Sequence, residues 1–122
     1  QGNLSKTLLK VQTPIATDND CRSEVCVAHL GPLLVQNCLI ADSKICAGGV
    51  PQSGPCNGDS GGALLAQDDE GQGWAAVGLV SYMPGDVLNP PRCGSDLFTV
   101  FTEISKFLDW IAQQYGMLPP LR

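Results

Sequence analysis

The sequence predicts an all-β domain, a barrel or sandwich, finished by a C-terminal helix. Three observations point there. Short strand-like runs alternate with clusters of glycine, proline and asparagine. One segment, 104–115, instead carries apolar residues at helical spacing, at 104, 107, 108, 111 and 115. Six cysteines in 122 residues suit a small fold stapled by disulfides.

The elements follow in order. Residues 7–13 alternate around Leu9 and Val11 and stop at Pro14, which reads as a strand. Thr17 with Asp20 three residues later resembles a capping box, with Asp in place of Glu or Gln, and opens a short helix over about 18–27. Residues 28–44 read as a long loop with a turn at Gly31-Pro32. Strand-like runs follow at 44–47, 62–67, 74–82 and 97–102, separated by turn clusters at 48–58, 68–73 and 83–94. The terminal helix stops at Gly116, and Pro119-Pro120 bars its continuation. No internal repeat or low-complexity segment divides residues 1–122, so they read as one domain.

Composition narrows the function. Apolar residues make up 43% and charged residues 16%, a balance that favours a packed core over disorder. A net charge of −5 argues against nucleic acid or an anionic membrane as partner. No apolar run approaches the roughly 18 residues a spanning helix needs. With no initiator Met and no signal peptide, Gln1 reads as a processed end. The cysteines, at 21, 26, 38, 46, 56 and 93, contain no Cys-x-x-Cys pair, and the single histidine, His29, is not spaced as a zinc ligand. They read as disulfides, with no metal and no cofactor implied, and place the chain outside the cell. In that compartment Asn3-Leu4-Ser5 is a candidate glycosylation site.

The segment Cys56-Asn57-Gly58-Asp59-Ser60-Gly61-Gly62-Ala63 carries the chemistry. A serine hydroxyl is a weak nucleophile until a base takes its proton. It must also sit on a tight turn whose N–H groups can meet an oxyanion. Glycines on both sides permit that backbone. Taken alone, Gly-x-Ser-x-Gly could be an ordinary glycine-rich turn. The longer string Gly58-Asp59-Ser60-Gly61-Gly62 resembles the active-site signature of chymotrypsin-like serine proteases. Lys44-Ile45-Cys46-Ala47-Gly48, Gly78-Leu79-Val80-Ser81-Tyr82, Thr99-Val100-Phe101-Thr102 and Leu108-Asp109-Trp110-Ile111 are similar to further segments of that family, in the family's order.

The resemblance implies a six-stranded antiparallel Greek-key barrel with a C-terminal α-helix, the second barrel of a two-barrel fold. Ser60 becomes the acylating nucleophile, and the N–H groups of Gly58 and Ser60 the oxyanion hole. Asp59 is implied to pair with the N-terminal ammonium made on zymogen activation. Ser81, Tyr82 and Met83 are implied to pair with the substrate backbone. Gly54, six residues before Ser60, falls at the pocket floor beside Pro55 and Asn57. A floor without aspartate argues against Lys or Arg specificity. Met83 and Thr99 stand where wide pockets carry glycine, and Thr99-Val100-Phe101-Thr102 is similar to elastase, so small or medium aliphatic residues are expected before the scissile bond. Misfit there is worth about 1–3 kcal/mol per methylene.

Family spacing suggests the disulfides Cys21–Cys46 and Cys56–Cys93, leaving Cys26 and Cys38 to pair, although six cysteines admit other connectivities. Ala66 stands near where many relatives carry a cysteine bridging to the N-terminal barrel, so the companion half is expected to be held without a covalent bond. The family's triad histidine and aspartate belong to that half. His29, within Val27-Ala28-His29-Leu30, lacks the family's surroundings and reads as a loop residue. The expected function is therefore the C-terminal chain of a two-chain secreted endopeptidase acting on proteins or peptides. The alternative is an inactive homologue used to bind another protein. The isolated chain is expected to fold poorly, because its inner face is built to be covered.

Overall fold

The computed structural model describes residues 5–30, 42–83 and 97–116, with residues 26–30 given by their backbone alone. Four strands, β1 (Lys44–Gly48), β2 (Ala63–Gln67), β3 (Trp74–Tyr82) and β4 (Phe98–Glu103), form one antiparallel sheet in the order β1-β4-β3-β2. Helix α1 (Asp18–Leu30) precedes the sheet. A 3-10 turn (Ile104–Phe107) leads from it into helix α2 (Leu108–Tyr115).

Strand periodicity builds two cores. Successive residues on a strand point to opposite faces. On β1, Cys46 and Ala47 are both buried; on β4, so are Val100 and Phe101. Cys46 and Val100 pack with Cys21 and Val25 of α1 on one face. Ala47 and Phe101 pack with Leu64 on the other. The Cys21–Cys46 disulfide ties α1 to β1, as the family spacing suggested. Glu24 Oε2 accepts the Phe98 N–H at 2.7 Å and fixes the start of β4 against the same helix. Thr17 caps α1, its hydroxyl accepting the Asp20 N–H at 3.1 Å, as the sequence anticipated.

The β2–β3 connection is a turn organised by Asp68. Its Oδ1 accepts the Gln72 N–H at 2.8 Å, and its carbonyl accepts the Gly71 N–H at 2.9 Å. Gly78 packs closely against β4 and β2. A Cβ there would lie 3.1 Å from Phe101 Cβ and 3.4 Å from Leu64 Cβ. β3 carries two bulges, one opposite Leu64 and Leu65 and one at Ser81.

The described residues contain four strands, which neither reach nor rule out the expected six. Several other expectations change. Residues 7–13 form no strand. Nothing among the described residues offers them a ladder, Leu8 is fully exposed, and pairing begins only at Pro14, whose carbonyl accepts the Gly48 N–H, with the bridge Ile15–Ala47 beside it. Helix α1 runs on to Leu30, so His29 belongs to a helix and not to a loop. The apolar, helix-compatible run Cys26–Leu30 carries it up to Gly31-Pro32, the first strong stop. The helix expected over 104–115 begins as a tighter 3-10 turn, and it is this turn that meets β3. No residue of α2 is buried, and Trp110 stays 59% exposed. Its end matches the sequence: Gly116 sits at φ 68° and donates to the Ala112 carbonyl.

Closing a loop across a sequence separation of 25, the Cys21–Cys46 bond restricts the unfolded chain by about 3 kcal/mol in the loop-entropy description. Replacing both cysteines by alanine is expected to lower unfolding stability by about that amount, read as a lower urea midpoint for the folded protein.

Candidate active site

The turn that carries Ser60 is made by backbone and held by β3. Asp59 N–H donates to the Cys56 carbonyl at 3.0 Å, and Gly62 N–H donates to the Asp59 carbonyl at 2.8 Å. Gly61 N–H donates to the Val80 carbonyl and Val80 N–H to the Gly62 carbonyl, each at 2.9 Å. Two glycines are demanded by this geometry. Gly58 sits at φ 102°, a conformation L side chains rarely adopt. At Gly62 a Cβ would lie 2.8 Å from the Asp59 carbonyl oxygen, inside contact distance.

The Asp59 carboxylate also serves the turn. Its Oδ2 accepts the Cys56 N–H at 2.7 Å, closing the segment from side chain as well as backbone. Cys56 is disulfide-bonded, which anchors the same point. Ser60 itself is exposed. The N–H groups of Gly58 and Ser60 have no acceptor among the described residues, and both residues are open to solvent.

Beside this turn lies a cavity of about 220 Å³. It is lined by Pro55, Cys56, Asn57 and Ser60 from the turn side and by Val80, Ser81, Tyr82 and Met83 from β3 and its end. Of the residues singled out from sequence, it therefore gathers Pro55, Cys56, Asn57, Ser60, Ser81, Tyr82 and Met83. Gly54 and Thr99 are not part of this lining. Gly54 is half-buried at φ 141°. Thr99 is buried on β4, in register with Ala47. Asn3, Cys38, Cys93 and the side chains of Cys26 and His29 lie outside the described residues.

Two contributors escaped the sequence reading. Val80 locks the nucleophile turn through its backbone and lines the cavity, a role that leaves no residue-type signature. Lys44 reaches across the sheet, its Nζ donating to Ser81 Oγ at 3.2 Å and to Thr102 Oγ1 at 3.1 Å. A lysine at the head of a strand gives no hint of that span. Among the described residues no cluster of His, Cys, Asp or Glu is arranged to hold a metal ion.

The arrangement suits addition to an electrophile: an exposed hydroxyl, two free amides on the same turn, and a cavity at its side. Gly62→Ala is expected to push the Asp59 carbonyl out of the turn and displace Ser60 by a fraction of an ångström or more. A displacement of that order costs on the order of a hundredfold in rate, measured as the rate at which Ser60 reacts with an organophosphorus acylating agent.

Comparison with known proteins agrees with this geometry. The family model described as Trypsin matches residues 1–111. The CLIP domain-containing serine protease HP8 of Bombyx mori is 33% identical over 108 residues, covering 88% of this chain and 26% of that protein. Phenoloxidase-activating enzyme 1 of Spodoptera litura is 34% identical over 111 residues, covering 90% of this chain and 25% of its own length. The chymotrypsin-like elastase family member 3B of Macaca mulatta is 42% identical over 74 residues, covering 61% of this chain and 26% of its own. The chain spans about a quarter of the length of these relatives. With its glycine-framed serine, its strand-rich sheet and its C-terminal helix, the chain belongs to the trypsin family of chymotrypsin-like serine proteases.

Proposed function

We propose that this chain supplies the nucleophile, oxyanion hole and specificity pocket of a secreted serine endopeptidase. The observation that carries the reading is the position of Ser60, at the edge of the cavity on a turn whose Gly58 and Ser60 amides have no acceptor among the described residues. In this reading Ser60 Oγ attacks the scissile carbonyl carbon. Its proton passes to an imidazole of the companion half and from there to the leaving amine. The oxygen of the tetrahedral intermediate takes the two amide N–H groups, each worth about 3 kcal/mol in the transition state. Water then repeats the sequence and releases the acid.

The sheet would be part of the second, six-stranded barrel of a two-barrel protease. The companion half, held without a covalent bond, would bring the histidine and aspartate. The chain's coverage of about a quarter of its relatives supports a larger whole. On activation the Asp59 carboxylate would exchange the Cys56 N–H for an ammonium of the companion. Secretion is supported by the disulfide between Cys21 and Cys46. Among the described residues no helix is long and apolar enough to cross a membrane.

Specificity would favour small or medium aliphatic residues. Met83 contributes to the cavity wall, and no acidic side chain is among its described lining. Turnover of substrates with Ala, Leu, Phe or Arg before the scissile bond is expected to give the highest kcat/KM for Ala or Leu. A clear Arg preference would overturn that assignment.

The nucleophile is tested by fluorophosphonate labelling of the assembled protein. One adduct is expected, on Ser60, with loss of fluoride, and Ser60→Ala is expected to lower kcat by about a millionfold. Folded, assembled protein that leaves Ser60 unlabelled would instead assign the chain a binding role without catalysis.

A further inference from the structure

One row of residues crosses all four strands. Lys44 on β1 is in register with Thr102 on β4, Thr102 with Leu79 on β3, and Leu79 with Ala63 on β2. Residues paired across an antiparallel ladder share a face. The β2 and β3 end of this row is apolar and open: Leu79 is 38% exposed, and Leu65, two residues along β2 on the same side, is 53% exposed. The β1 end is a cation. Ala63, at the far end, lies three residues after Ser60.

The setting of that cation is unusual. Lys44 is half-buried, and its Nζ is fixed by two neutral hydroxyls, Ser81 Oγ and Thr102 Oγ1. Among the described residues no carboxylate pairs with it. An ammonium has three donors, and here two are used. A positioned, partly desolvated cation with a donor to spare is stabilised most by an anion, through a charge-assisted hydrogen bond. An apolar strip beside such a cation calls for a partner that is apolar with one acidic side chain.

We propose that Lys44 receives an Asp or Glu carboxylate of the companion half, at the point where that half covers the strip from Leu79 to Leu65. The proposal rests on the reading that a companion half completes the protein. An acidic side chain suits the cation at Lys44, and the three-quarters of the relatives' length that this chain does not span selects the companion half over a second copy of the chain as its source. The contact has a reach beyond docking. Ser81 occupies a bulge of β3 and lines the cavity beside Ser60. Lys44 is therefore a positioning residue, through which docking of the companion fixes one wall of the cavity.

The test uses the assembled full-length protein with Lys44→Met, Lys44→Gln and Lys44→Arg, reading the thermal midpoint and the split between KM and kcat. Met and Gln are expected to lower the midpoint by the same several degrees and to raise KM more than they lower kcat. Arg, which keeps the charge, is expected to restore both. Each companion Asp and Glu is then changed to its amide in the wild-type and Lys44→Gln backgrounds. One such change is expected to cost nothing further once Lys44 is Gln. A Gln variant as stable as wild type would show that the role is hydrogen bonding alone and overturn the proposal, as would strictly additive losses for every companion carboxylate. Fluorophosphonate labelling of Ser60 separates the two readings. Labelling with no Lys44 coupling overturns this inference alone, and coupling without labelling overturns the catalytic reading alone.

Discussion

The site depends on two backbone hydrogen bonds. Gly61 N–H to the Val80 carbonyl and Val80 N–H to the Gly62 carbonyl extend the β2–β3 ladder backwards into the turn that carries Ser60. Without them the segment 56–62 would be a surface loop of glycines with high conformational entropy. With them its geometry becomes a property of the sheet. The turn's inner bonds, from Asp59 and Gly62, and the Asp59 carboxylate on the Cys56 N–H add rigidity to a frame already set. An oxyanion site needs donors that are in place before charge develops, and a sheet edge provides that more cheaply than a free loop.

This dependence explains what was legible in the sequence. Alternation and turn chemistry located the four strands of the described residues, and Thr17 and Gly116 marked helix ends where the backbone requires a cap or a left-handed residue. The glycines around Ser60 were readable because each answers a local steric demand, a positive φ at Gly58 or a close approach at Gly62. Ser60 was marked by its framing glycines, whereas Pro55, Asn57, Ser81, Tyr82 and Met83 were named through resemblance rather than through pattern. Their adjacency is a product of the β3–β4 pairing and of the bulge at Ser81.

What escaped the sequence was set by tertiary context. The alternation at 7–13 is sound strand chemistry, but a strand exists only when a neighbour takes its hydrogen bonds, and among the described residues none does. The run to Leu30 in α1 was hidden by reading Gly31-Pro32 as part of a loop that began too early. The roles of Val80 and Lys44 are invisible for another reason. One acts through its peptide group, and the other through a side chain that crosses to β3 and β4.

β4 is walled on both sides: Val100 faces the helix and Phe101 faces Leu64, with 0% and 3% of their surfaces exposed. A strand confined in this way cannot yield to a larger neighbour on one side without pressing on the other. Helix α1 and the nucleophile turn thus share a common partition. Sequence drift beneath the helix is consequently limited by the tolerance of the cavity, and remodelling of the cavity by the fit of the helix.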